Sequence, residues 1–227
     1  MIKAIKKTLL KYLPTNYFEY SKSYSQDGED MILKAIYEQK KGYKGFFVDV
    51  GAHHPIRYSN TAYFYKRGWK GINIEPTPSA IAAFKTFRKR DINLNIGIGQ
   101  EQSRLKFYCF NEPALNSFSE EISKRIDRES DKYKIVKEVE VKVLPLSDVF
   151  DRHLPKNTLI DFLSIDVEGL DFQVLLSNNW EMYKPNVILI EENVDVDNLR
   201  DSPIYVFLKE KGYNFFAKTL RTCIYRL

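Results

Sequence analysis

The stretch FFVDVGAHHPIRYSNTAYFYKRGWKGINIE, residues 46–75, determines the fold. An apolar run over 46–50 is typical of a short buried strand, and a second such run covers 71–75. Between them, residues 59–69 start with possible capping side chains and reach a glycine near their end, which predicts a helix. Two strands joined through a helix by short connections predict a parallel βαβ unit.

The same alternation continues along the chain and predicts an α/β fold with a doubly wound, mostly parallel sheet. Residues 76–90 predict the next helix and 92–99 a third strand. The stretch 111–133 is polar and charged, and we expect an insertion or lid there. The other predicted elements are helices over 27–40, 171–179 and 202–213, strands over 104–110, 136–146, 158–169 and 186–193, and a closing antiparallel edge hairpin over 214–220 and 222–227.

Composition indicates one sizeable globular domain. The chain has 227 residues, of which 44% are hydrophobic and 29% charged, and its net charge of +5 does not require a nucleic-acid partner. Two cysteines make no disulfide framework, which suits a reducing cytoplasm. No apolar run approaches the roughly 18 residues that span a bilayer.

The N-terminal segment, residues 1–24, is expected to stand apart from the domain formed by 25–227. Its start, MIKAIKKTLLKYL (1–13), places apolar residues at helical spacing among lysines that interrupt any signal-peptide core, so we expect a cytoplasmic protein. Such a basic amphipathic helix would pack on its own domain or rest on the inner surface of the membrane. The sequence leaves both open.

Strand ends are where a doubly wound sheet binds its ligand. Gly51 follows the first strand, and Glu75 ends the second, where a carboxylate suits the hydroxyls of a ribose. The GxGxxG spacing of dinucleotide loops is missing, because the next glycine after Gly51 is Gly68. That absence argues against a pyrophosphate and an NAD-type dehydrogenase, whereas Asp49 suits a cationic ligand such as S-adenosylmethionine (SAM).

The chain resembles the FkbM-type methyltransferases, a branch of the SAM-dependent class I, Rossmann-like fold. The segments that carry the resemblance are SQDGED (25–30), FVDVGAHHP (47–55), YSNT (58–61), FYKRGWKGINIEP (64–76) and LSIDVEGLDFQVL (163–175). The resemblance implies SAM as cofactor, with Asp49 and Gly51 at its methionine end and Glu75 on the ribose. The full implied cofactor set is Ser25, Gln26, Glu29, Asp49, Gly51, Ala52, Glu75, Pro76, Asn95 and Gly97.

Methyl transfer to a hydroxyl also requires that its proton be removed, by a base or through a metal that acidifies the oxygen. The candidates are His53, with its neighbour His54 as the alternative base, the carboxylates Asp166 and Glu168, and the nearby Asp171. The two carboxylates would also suit Mg²⁺ or Mn²⁺ as ligands. We expect Arg57 and Asn60 to orient the acceptor, although Asn60 could instead cap a helix.

Three residues also receive structural interpretations. We expect His54 to be exposed or to cap the turn before Pro55, and His153 to lie in a surface loop. Tyr58 is expected to be a packing group.

The function that we expect is SAM-dependent O-methylation of a hydroxyl, in a sugar of a glycan or glycoconjugate precursor. The alternatives are a methyltransferase for a non-sugar small molecule, a degenerate methyltransferase fold that only binds its ligand, and a nucleic-acid methyltransferase. The modest charge disfavours the last of these.

Overall fold

The computed structural model describes residues 20–39 and 42–227, so the predicted basic helix over 1–13 lies outside the described residues. The helices are α1 (Glu29–Tyr37), α2 (Ala62–Tyr65), α3 (Pro78–Phe87), α4 (Glu120–Glu129), α5 (Leu146–His153), α6 (Asp171–Leu176) and α7 (Pro203–Glu210). The strands are β1 (Phe46–Val50), β2 (Lys70–Ile74), β3 (Ile92–Leu94), β4 (Gly97–Ile98), β5 (Ser103–Phe110), β6 (Ile135–Leu144), β7 (Phe162–Ile165), β8 (Val187–Glu191), β9 (Asn214–Lys218) and β10 (Thr222–Arg226). Short 3-10 turns cover Pro113–Leu115 and Val196–Asp201.

The main sheet confirms the predicted fold. Its strand order is β3-β2-β1-β7-β8-β10-β9, and all neighbours are parallel except that β10 runs antiparallel to both β8 and β9. From β1 the chain moves outward to β2 and β3, then returns to the other side of β1 as β7. The strand order therefore reverses between β1 and β7, and in such sheets a ligand crevice opens at the carboxyl ends of the strands on either side of that point.

Helices pack on both faces of the sheet, and its central strands are therefore buried on both sides. Successive side chains of β1 point to opposite faces: Phe47 joins a cluster with Leu33 of α1 and with Trp69, while Val48 and Val50 join the cluster packed under α5, α6 and α7. A strand buried in this way reads as a nearly continuous apolar run, interrupted here by Asp49, which is why the sequence identified it. Among the residues that the structure describes, no helix is long and apolar enough to cross a bilayer.

The prediction of residues 92–99 as one strand is wrong. Residues 92–94 extend the main sheet as β3, but β4 pairs with β6 in a separate three-stranded sheet of order β4-β6-β5. The Asn95 side-chain amide donates hydrogen bonds to the main-chain carbonyls of Glu75 and Pro76, at 2.9 and 2.8 Å. These bonds hold the chain beside the end of β2, so the next residues leave the main sheet.

One helix prediction needs correction, and one helix was missed. The helix predicted over 59–69 is the single turn α2, because the Ser59 hydroxyl accepts the Ala62 N–H at 3.1 Å and Gly68 adopts a left-handed φ of 91° that ends the segment. Helix α5 was not predicted, and His153, which we expected in a surface loop, is its last residue.

The stretch 111–133 contains the 3-10 turn Pro113–Leu115 and helix α4. The Ser119 hydroxyl accepts the Ile122 N–H at 3.3 Å and caps α4. Just before that helix, Ser117 and Tyr108 exchange backbone hydrogen bonds of 3.2 and 2.9 Å, which fasten the stretch to β5.

Gly51 lets the ends of β1 and β7 come together at the point where the strand order reverses. Its φ is 79°, and its N–H donates to the carbonyl of Ile74 at 3.0 Å. A Cβ added to Gly51 would lie 1.7 Å from the carbonyl oxygen of Asp166, far inside contact distance. Because that oxygen belongs to the backbone, a side chain at position 51 requires the two strand ends to separate.

We therefore expect Gly51→Ala to lower the free energy of unfolding by about 3 kcal/mol or more, from strain and clash together. The matched control is Gly28→Ala, since Gly28 has a similar left-handed φ of 93° with no atom within 4 Å of an added Cβ. That control should lose about 1 kcal/mol. Urea unfolding measures both, and equal losses would contradict the clash.

Candidate active site

A cleft opens at the carboxyl ends of β1, β2 and β7. It encloses about 980 Å³ of space, including the open solvent at its mouth. One side is polar and comes from the strand ends, whereas Ile98, Phe107 and Phe118 make the other side apolar. Most of the residues predicted for the site line this cleft, namely Gln26, Asp49, Gly51, Ala52, His53, Asn60, Glu75, Pro76, Gly97, Asp166 and Glu168.

Four residues predicted for the site are placed outside the cleft lining. The Ser25 hydroxyl donates to Asp30 at 2.8 Å, and Glu29 accepts the Thr219 hydroxyl at 2.6 Å, so both brace the segment before β1. The third is Asn95, whose amide holds the end of β2. The fourth is Arg57, which is exposed and stacks its guanidinium on a neighbouring tyrosine ring, 4.5 Å from the ring centre.

Glu75 lies at the floor of the cleft and links two of its turns. One carboxylate oxygen accepts the His53 N–H at 2.8 Å and the other accepts the Thr77 N–H at 2.7 Å. Burial raises the pKa of Glu75, while the bonds from Thr77 and His53 oppose that rise. An ionised carboxylate can accept about four hydrogen bonds. The Thr77 hydroxyl also bonds to this carboxylate, so Glu75 keeps capacity for about one further donor from a ligand.

Asp49, at the end of β1, is nearly buried and also reaches the cleft. Its carboxylate accepts the Thr61 hydroxyl at 2.9 Å. Burial raises the pKa of Asp49 to about 6, although the hydroxyls of Thr61 and Ser164 and the positive charge of Arg88 favour its ionised form. At neutral pH the cleft therefore has a negative charge with little water around it, which attracts a cationic group.

The two adjacent histidines have different structural roles. His54 accepts the N–H groups of Ile56 and Arg57 on its Nδ1 atom, at 3.1 and 2.9 Å, so it caps the turn after Pro55. His53 lines the cleft in a left-handed conformation with a φ of 51°. Burial, followed by the charge of Arg57, lowers the pKa of His53, so its imidazole is neutral at neutral pH and can accept a proton.

Tyr58, which we expected to be a packing group, lies at the mouth of the cleft. Its side chain is 44% exposed and its ring lies nearly parallel to that of His53, at an angle of 18° and 6.4 Å between ring centres. It therefore lies where an acceptor would enter, with the Arg57 guanidinium stacked on its ring. Asn60 does not cap α2, because its side-chain amide donates to the Ser164 hydroxyl on β7 at 3.0 Å.

Three carboxylates cluster at the ends of β7 and β8. Oxygens of Asp166, Glu168 and Glu191 all lie within 4.8 Å of one another. Water reaches Asp166 from the open side of the cleft, but protein surrounds its other sides. Burial there, together with Glu191 and Glu168, raises the pKa of Asp166 well above its usual range. Burial and the negative charge of Glu191 raise the pKa of Glu168 to about 7.

Asp171 was a nearby candidate but holds the loop between β7 and α6. Its two oxygens accept the N–H groups of Val167 and Gly169, at 3.0 and 3.1 Å. Glu191, in contrast, was not assigned to the site from the sequence. Its position at a strand end, on the ligand side of the sheet, indicates a possible site residue. Its closeness to Asp166, however, results from the pairing of β7 with β8, which the sequence alone does not give.

The predicted insertion also supplies a wall of the cleft. The Asn116 side chain donates to the Thr77 hydroxyl at 3.0 Å and accepts the Phe110 N–H at 2.7 Å, which joins this wall to the turn after β2. Phe118 packs so closely over Gly97 that a Cβ there would lie 2.5 Å from its ring. Neither residue could be assigned from the sequence, because their placement follows from the packing of the second sheet.

Comparison with known proteins gives one match. The family described as the methyltransferase FkbM domain matches residues 49–215, which include the end of β1 and all of β2, β7 and β8, and therefore most of the cleft. No curated protein and no solved structure matches the chain.

The raised pKa of Glu168 predicts how stability depends on pH. In the unfolded chain this group releases its proton near pH 4.5, whereas in the folded protein it does so at about 7. The folded state is thus favoured below the lower value, and this contribution is lost as the pH rises through the higher one. We expect the wild-type free energy of unfolding to fall over that range, and Glu168→Gln to reduce the fall.

The control for this experiment is Glu101→Gln, at an exposed carboxylate outside the cleft. It should leave the pH profile of chemical unfolding as in the wild type. A Glu168→Gln profile parallel to the wild-type profile would contradict the crowding of the three carboxylates.

Proposed function

Because this chain belongs to the FkbM methyltransferase family, we propose that its cleft binds SAM and directs the methyl group to a hydroxyl of a sugar, in a glycan or glycoconjugate precursor. The observation that carries the proposal is Glu75. It combines a strand-end position, a place in the cleft lining and remaining capacity to accept a hydrogen bond. A ribose presents two neighbouring hydroxyl donors, which fit that carboxylate.

The remaining contacts follow from the two sides of the cleft. Asp49 offers a negative charge to the cationic methionine end of SAM. The apolar side, made by Ile98 and Phe118, suits a flat adenine ring. Gln26, from the segment before β1, lies at the cleft and would close over the cofactor.

Bound SAM would supply the methyl group, which the acceptor oxygen would take as the carbon–sulfur bond breaks and a neutral thioether leaves. The hydroxyl proton must leave to a base. His53 is neutral at neutral pH, and Glu168, with its pKa of about 7, is close to half ionised there. Both line the cleft, and a base with a pKa near the working pH is the most effective.

The cluster of Asp166, Glu168 and Glu191 also fits the ligand set of a divalent cation. Its three carboxylates converge within 4.8 Å, and oxygen donors suit Mg²⁺ or Mn²⁺. A bound cation would acidify the acceptor hydroxyl. Methylation measured with and without EDTA shows whether catalysis needs the cation.

Two features of the cleft mouth support a sugar as acceptor. Tyr58, with Arg57 stacked on its ring, places an aromatic edge and polar groups at the mouth, and the carboxylates of Asp166 and Glu168 can accept bonds from several hydroxyls. We propose that the enzyme acts in the cytoplasm.

The binding part of the proposal is tested with Glu75→Gln. This variant keeps the shape of the side chain but removes its charge and replaces one acceptor oxygen by a donor. We expect the affinity for SAM to fall by about tenfold or more, since bonds to an ionised group are lost. Titration calorimetry measures the affinity, and thermal unfolding shows whether the variant is folded.

Glu192→Gln is the matched control, because Glu192 is also buried and also bonded, accepting the Tyr225 hydroxyl at 3.1 Å, but does not line the cleft. It should bind SAM as the wild type does. An unchanged affinity in folded Glu75→Gln would remove Glu75 from the cofactor site.

The catalytic part is tested by a methylation screen over nucleotide sugars, oligosaccharides and non-sugar alcohols, with and without EDTA. With the best acceptor, Asp166→Asn and Glu168→Gln should lower turnover by about 10²-fold or more and change SAM affinity little. Loss of turnover in EDTA, restored by Mg²⁺ or Mn²⁺, would assign the cluster to a cation. SAM binding without turnover on any acceptor would indicate a binding module instead of an enzyme.

A further inference from the structure

Arg88, directly after α3, is a buried cation whose guanidinium approaches the cleft lining from the protein interior. Its side chain is 1% exposed, and its Nε atom donates to Asp91 at 2.9 Å. The other two nitrogens reach the turn after β1: one donates to the carbonyl of Pro55 and the other to the Thr61 hydroxyl, both at 3.1 Å. Neither the resemblance nor any motif in the sequence assigned Arg88 or Thr61 a role.

The proton arrangement at Thr61 is fixed by chemistry. A guanidinium can only donate hydrogen bonds, and an ionised carboxylate can only accept them. The Thr61 oxygen therefore accepts from Arg88 and donates its single proton to Asp49, at 2.9 Å. The Ser59 hydroxyl, 3.2 Å away, then supplies its proton to the second lone pair of Thr61.

We propose that Arg88 and Thr61 are positioning residues that keep Asp49 ionised and correctly oriented, so that Asp49 can bind the ammonium group of the cofactor. The proposal rests on the proposed function for the identity of the ligand, but its electrostatic part concerns the protein alone. A protonated Asp49 would lose its charge and turn a donor towards the ligand.

The other groups that face Asp49 make this support necessary. The Glu75 carboxylate, at the neighbouring strand end, disfavours a second negative charge, while the Ser164 hydroxyl on β7 favours it. Burial is the largest influence and acts against ionisation. Arg88 provides the positive charge that opposes burial and Glu75, and Thr61 transmits it through a hydrogen bond.

Thr61→Val tests the inference, because valine has a similar shape but no hydroxyl. Thr61→Ser, which keeps the hydroxyl, is the control. We expect ¹³C NMR of the Asp49 carboxyl, in protein without ligand, to show a titration midpoint that is higher by about one on the pH scale in Thr61→Val and close to wild type in Thr61→Ser.

The same change predicts a pH-dependent loss of SAM affinity. The Asp49 midpoint lies near 6 in the wild type, so moving it to about 7 weakens binding about fivefold at about pH 6 and by almost nothing at about pH 8. Titration of the SAM ammonium group itself affects both proteins equally and leaves this ratio unchanged. A purely structural defect would weaken binding to the same extent at both pH values.

The outcomes separate this inference from the proposed function. An unmoved Asp49 midpoint in folded Thr61→Val overturns the inference, and so does an affinity loss that is independent of pH. If the midpoint moves and the wild type binds no SAM, the role of the Thr61 hydroxyl in keeping Asp49 ionised holds and the proposed cofactor fails.

Discussion

The contact between the backbone of Gly51 and the carbonyl of Asp166 is the constraint on which the site depends. It brings the carboxyl ends of β1 and β7 together at the point where strand order reverses. The N–H of Asp166 bonds to the carbonyl of Val50 at 3.0 Å, and Gly51 bonds onward to the end of β2. Three strand ends are thereby fixed to one another, and Asp49, Glu75 and Asp166 are placed around one cleft.

This arrangement places several carboxylates close together where little water reaches them, which lowers the stability of the folded protein. Burial raises the pKa of Asp49, Glu75 and Glu168 alike, so the free protein holds negative charges in an environment that disfavours them. Groups perturbed in this way are common at functional sites. A cationic cofactor with hydroxyl donors would relieve the repulsion, and for this reason binding and stability should be linked in this protein.

The sequence predicted the parts of the fold whose burial leaves a pattern. The apolar runs of β1 and β2 and the closing pair β9 and β10 were correctly located. Residues 92–99 look like one strand because their apolar alternation is continuous, and the bonds from Asn95 to the end of β2, which divide them, depend on tertiary structure. The site residues likewise divide into those that a sequence pattern reveals and those that only the folded structure brings together. Gly51 and Glu75 could be found because each follows a recognisable strand.

Arg88 could not be found in this way, since its partners Pro55 and Thr61 lie 33 and 27 residues away in the chain and meet it only in the folded protein. The same holds for Glu191, which joins Asp166 through strand pairing, and for Phe118, which reaches the cleft through the second sheet. A crystal structure of the protein with S-adenosylhomocysteine would test the cofactor site as a whole. We predict the ribose hydroxyls on the carboxylate of Glu75, the amino group beside Asp49, and the adenine against Ile98 and Phe118. Adenosine bound elsewhere, with Glu75 still bonded only to His53 and Thr77, would contradict this assignment.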